Sequence, residues 1–116
     1  MTTEQQSLLL TVVVAFLELL PHGPLMSRVR QIKTHLEETH FCWIGQFGDN
    51  DPFYYRIQSP VICIEFDHHA GVFLLNAEPA KCHIHTILRT PNGNDYGKQW
   101  LKIFRQEMSD SRLVEA

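Results

Sequence analysis

The residue types able to do chemistry crowd into two short runs, Glu65-Phe66-Asp67-His68-His69 and His83-Ile84-His85. Two histidines separated by one residue on a strand put both imidazoles on one face, about 6–7 Å apart at the backbone. That spacing can close on one metal ion. A carboxylate from a neighbouring strand, Glu65 or Asp67, supplies a third ligand. Two His and one carboxylate leave positions open for water or substrate, as in catalytic zinc and non-haem iron centres. The competing reading is an exposed polar face whose His residues pair with acids. Such a cluster also titrates near neutrality, so it can move protons or sense pH.

Alternation along each strand sorts these residues by face. In 61–69, Val61, Cys63, Glu65, Asp67 and His69 share one face, and Ile62, Ile64, Phe66 and His68 share the other. In 82–90, His83, His85, Ile87 and Arg89 lie opposite Cys82, Ile84, Thr86 and Leu88. In 53–58, Tyr54, Arg56 and Gln58 oppose Phe53, Tyr55 and Ile57. If helices cover the apolar face, the other displays Arg56, Glu65, Asp67, His69, His83, His85 and Arg89. Arg56 and Arg89 read either as partners that neutralise Glu65 and Asp67 or as a clamp for a carboxylate or phosphate group. Asp49-Asn50-Asp51 lacks the spaced later ligands of a calcium loop and reads as a turn.

The elements that must carry this face follow from periodicity and breakers. Thr3 with Gln6 fits a capping box opening a helix over 3–20. Pro21-His22-Gly23-Pro24 breaks it, and Leu25, Val29, Ile32 and Leu36 form the stripe of a second helix. Arg28, Arg30, Lys33, Glu37 and Glu38 lie off that stripe as its solvated face. A helical hairpin over 3–39 is therefore expected. Residues 41–90 alternate and turn as a mostly antiparallel β-meander, with 72–75 as a short strand within it. Asn94 or Asp95 can cap a C-terminal helix over 95–109 that carries Trp100, Leu101, Phe104 and Met108 on one side. The predicted fold is α+β, one domain over 1–116: a helical hairpin, a four-stranded mostly antiparallel sheet and a C-terminal helix. Trp100, Phe104, Leu36, Ile62, Ile64, Phe66 and Ile84 are its expected core.

Bulk properties bound the function. The 116 residues suffice for one core, and a net charge of −3 gives no bulk attraction to nucleic acid or an anionic membrane. Leu8 to Leu20 is too short to span a bilayer comfortably, and Met1-Thr2-Thr3-Glu4 lacks the basic start of a signal peptide. Cys42, Cys63 and Cys82 are an odd set with no CxxC spacing. They read as small hydrophobes in strands and point to a reducing, cytoplasmic location.

At the same residues the sequence becomes familiar. Leu36-Glu37-Glu38-Thr39-His40-Phe41-Cys42-Trp43-Ile44-Gly45, Asp51-Pro52-Phe53-Tyr54-Tyr55-Arg56-Ile57, Ile64-Glu65-Phe66-Asp67-His68, His83-Ile84-His85-Thr86 and Arg89-Thr90-Pro91-Asn92-Gly93-Asn94-Asp95-Tyr96-Gly97-Lys98 resemble the C-terminal part of the "domain of unknown function 3500" family. The resemblance covers nearly the whole chain. It lends no reaction or substrate. It picks out Tyr54, Tyr55, Arg56, Glu65, Asp67, His83, His85, Arg89, Asn94, Asp95 and Tyr96 as motif positions. Relatives are longer and carry an upstream Trp- and His-rich motif, so the resemblance implies a truncated member, or a subunit needing a partner. Apolar surface left bare by a missing half would favour a homo-oligomer or a partner subunit.

These readings converge on a metal-dependent enzyme or metal-binding domain. His83 and His85 are the expected ligands of zinc, iron or copper, with Glu65 or Asp67 as the third. The remaining carboxylate serves as general base, and Arg56 or Arg89 orients a small anionic substrate. Tyr54, His69 and Asp95 are expected to touch the bound ligand. The rival functions are a non-catalytic interaction or regulatory module and a metal-free binder of small anions through Arg56 and Arg89.

Overall fold

The structure, a computed structural model, describes residues 1–72, 74–91 and 100–107. Its elements are α1 (Thr3–Leu17), α2 (His22–Thr34), a 3-10 turn (Leu36–Glu38), β1 (His40–Gly45), β2 (Phe53–Gln58), β3 (Cys63–His68), β4 (Ile84–Arg89) and α3 (residues 100–107). The architecture is α+β, with helices on either side of the sheet in sequence. Helix α1 is capped by Thr2 and Gln5 rather than by Thr3 and Gln6. Both pairs have capping-box spacing, so the pattern alone does not set the start. The helix ends at Leu17 instead of residue 20, and the Leu20 amide closes a turn onto the Leu17 carbonyl at 2.9 Å. Pro21 explains the early stop, because a residue before proline is pushed away from helical geometry.

The four strands run in the order β1-β2-β3-β4, and every neighbouring pair is antiparallel. Registers fix the faces. Phe41, Ile57, Ile64 and Leu88 align across the sheet, as do Trp43, Tyr55, Phe66 and Thr86. The core forms where the helices meet this apolar face: Leu9, Val13 and Leu17 of α1 and Ile32 of α2 pack with Ile57, Val61, Ile62 and Ile64. Leu25, Val29 and Leu36 join it half-buried, which matches the stripe read from their spacing. Beyond the helices the same face carries an aromatic ladder, with Tyr55 and Phe66 stacked at 5.2 Å and Trp43 and Phe53 at 4.4 Å. Gly45 ends β1 at φ +126°, where a Cβ would lie 2.7 Å from the Pro52 carbonyl oxygen, so the turn into β2 requires glycine.

Several expectations need correcting. Ile84 is 49% exposed, Trp100 67% and Phe104 57%, so they are not core. The core residues of the two helices pack on β2 and β3, and among the described residues all six of the edge strand β4 are exposed. Phe66 is only half-buried, because it lies in the aromatic ladder past the helices. Residues 71, 72, 74 and 75 are turn and bend rather than strand, and Val72 takes a positive φ of 64° that no strand residue adopts. Cys63 is buried, whereas Cys42 lies exposed on edge strand β1 and Cys82 lies exposed before β4. Arg28 is not simply solvated: its Nη2 donates to the Val61 carbonyl and to the Thr90 hydroxyl, tying α2 to the sheet. No helix among the described residues is long and apolar enough to cross a membrane.

Candidate metal centre

The polar face is built in rows. Asp67 lies opposite Tyr54 and His85, Glu65 opposite Arg56 and Ile87, and Cys63 opposite Gln58 and Arg89. His69 follows β3 directly, and its amide donates to the His83 carbonyl at 2.7 Å, which carries the pairing one step past the last rung. Two strand ends therefore deliver Asp67, His69, His83 and His85 to one corner.

There, Asp67, His69 and His85 each offer one ligand atom, all within 4.8 Å of one another. Asp67 Oδ2 is 2.9 Å from His69 Nδ1. The rings of His69 and His85 stack at 4.5 Å, and His83 meets His85 edge-on at 4.9 Å. The Nε2 atoms of His83 and His85 are 3.1 Å apart. Asp67 and His69 are half-buried, His85 is exposed and His83 is only 6% exposed. Burial first, then the neighbouring His85 and His69, hold the His83 imidazole below its usual pKa, against a smaller opposing pull from Asp67. Neutral imidazoles with free lone pairs beside a carboxylate are what a first-row transition metal takes.

Glu65 stands outside this group. Arg56 Nε lies 3.4 Å from its Oε1, and the Tyr54 hydroxyl donates to the same oxygen at 3.3 Å. Burial, and next the Glu65 carboxylate, raise the Tyr54 phenol above its ordinary pKa, so Tyr54 remains a proton donor at neutral pH. Arg56 also donates to Gln58 Oε1 at 2.6 Å. Arg89 is exposed at the far end of β4, four residues from His85.

The family "Protein of unknown function (DUF3500)" matches residues 1–98. The chain belongs to that family. No curated protein and no solved structure matches it.

Of the positions singled out in the sequence, Tyr54, Arg56, Glu65, Asp67, His85 and Arg89 share the polar face, and His83 borders it. Asp95, with Asn94 and Tyr96, lies outside the described residues. His68 points to the opposite face. It is buried there, its Nδ1 accepts from the Phe53 amide at 2.9 Å, and its ring meets Phe53 edge-on. Sequence reasoning passed over Asn76. Its Nδ2 donates to the carbonyls of His69 and Glu78, both at 2.9 Å, and its Oδ1 faces His83 Nδ1 at 3.4 Å. An asparagine in an irregular loop has no periodicity to reveal it; its one cue was a polar side chain between the two His runs.

Proposed function

We propose that this DUF3500 chain is a metal-binding domain whose centre is formed by Asp67, His69 and His85. The single observation behind this reading is three ligand atoms of different residues within 4.8 Å of one another. The donor set suits zinc, iron or copper better than calcium or magnesium, which prefer oxygen. Its place on an open sheet face leaves room for water or a substrate at the metal. As an enzyme, the domain would use Glu65 as general base. Arg56 and Tyr54 orient that carboxylate, and Arg89 is the exposed cation for an anionic substrate group. A cytoplasmic setting fits the three free thiols.

Exposed apolar surface favours a second reading, a module that binds another chain. Met1, Leu8, Val12 and Phe41 line an apolar groove of about 310 Å³ between α1 and the sheet edge. A homo-oligomer or a partner subunit would cover it. The two readings separate in a melting experiment. Zinc, iron or copper should raise the melting temperature at pH 7.5, by an amount equivalent to about 2.7 kcal/mol at a hundredfold excess over the dissociation constant. His69→Ala/His85→Ala should abolish the rise. An equal response in both proteins would leave the interaction module as the function.

A further inference from the structure

We propose that Asn76 presets His83 as a fourth ligand of this centre, making it a three-imidazole, one-carboxylate site for a nitrogen-preferring divalent metal. The proposal rests on the metal-binding reading above and extends its ligand set. Two observations carry it. The first is the 3.1 Å separation of the His83 and His85 Nε2 atoms. Two nitrogens bound tetrahedrally to one zinc at about 2.0–2.1 Å lie roughly 3.3 Å apart. The pair is therefore already close to the spacing a shared ion imposes.

The second is the clasp that holds His83. Asn76 sits in the loop joining the two His runs, and its side chain uses both of its ends. The amide nitrogen donates to the His69 and Glu78 carbonyls, and the amide oxygen faces His83 Nδ1. With Nδ2 committed as donor on two carbonyls, Oδ1 is left as the acceptor. An Nδ1–H on His83 answers it, and in the neutral ring that turns the Nε2 lone pair toward His85 Nε2, the side from which a shared ion would be held. Metal-binding histidines are commonly set in this way, by an acceptor on the ring nitrogen away from the metal. Further backbone bonds brace the loop: the Gly71 amide donates to the Asn76 carbonyl at 2.7 Å, and the His83 amide to the Ala80 carbonyl at 2.9 Å. Asn76 is thus a positioning residue that joins the His69 backbone to the His83 ring. The His69 and His83 ring centroids are 5.4 Å apart.

Nitrogen-15 NMR of the imidazoles, with and without zinc, tests this on the full chain, alongside zinc affinity by competition with a chromophoric chelator. In the metal-free wild type, His83 should show the Nδ1–H pattern, and its Nε2 resonance should move on zinc addition together with that of His85. Asn76→Ala should lose the single tautomer and bind zinc 10–100-fold more weakly. Asn76→Asp keeps an acceptor for His83 and drops the two donations, so it should retain the tautomer. Unchanged core amide signals will show that both variants are folded. Zinc binding that leaves the His83 nitrogens unmoved, or Asn76→Ala affinity equal to wild type, would overturn the fourth ligand while the three-residue centre stands. A wild type that takes up no zinc would overturn both.

Discussion

His83 is nearly buried, and its imidazole is held below the ordinary value of 6.5. The unfolded chain therefore takes up this proton first as pH falls. The stabilising contribution is complete above about pH 6.5 and is lost as pH drops toward the lower folded value. In chelator-treated protein, urea midpoints should fall between pH 7 and pH 5, and His83→Gln should flatten that fall. Equal slopes in the two proteins would contradict the assignment. Arg28 gives a second residue-scale test. Its guanidinium bonds to Val61 and Thr90 close the end of the sheet, so Arg28→Ala should cost about 1–3 kcal/mol by denaturant titration. A surface arginine on a helix would cost almost nothing. Some of this chemistry is legible in the sequence: strand alternation alone puts Asp67, His69 and His85 on one face. Arg28 was not legible, since helical spacing says which side it occupies and not what the sheet brings to meet it. Asn76 was hidden for a related reason, because loop contacts follow no period.

At the scale of elements, the four antiparallel strands and the α2 stripe could be read from alternation and from the spacing of Leu25, Val29 and Ile32. The reach of the helices could not. Periodicity shows that a face is apolar, but cover depends on helix length and placement, and α1 and α2 stop over β2 and β3. Ile64 and Ile84 make the difference measurable. Both are isoleucines on the same face, yet Ile64 is fully buried and Ile84 is half-exposed at the edge. Ile64→Ala should cost about 2–5 kcal/mol, as cavity-forming core changes do. Ile84→Ala should cost well under half as much. Comparable losses would mean that β4 is covered as fully as β3. Gly45→Ala tests the β1–β2 turn. The positive φ and the close Pro52 carbonyl should make it destabilising by more than about 1 kcal/mol, read as a lower urea midpoint.

At the scale of the molecule, apolar side chains remain on the surface at both ends of the sequence, from Leu8 and Val12 on α1 to Trp100 and Phe104 on α3. Patches of this kind favour association, so sedimentation velocity should show a coefficient that rises with concentration, and Leu8→Glu should suppress the rise. A monomer at every concentration would argue that the domain needs no second copy. The central claim, a transition-metal centre at the corner where β3 ends and β4 begins, is tested most directly by isothermal titration of the chelator-treated chain with zinc at pH 7.5. The expected result is one ion per chain with proton release, and no binding heat for His69→Ala/His85→Ala. Equal binding by wild type and double variant, or no binding by either, would contradict it.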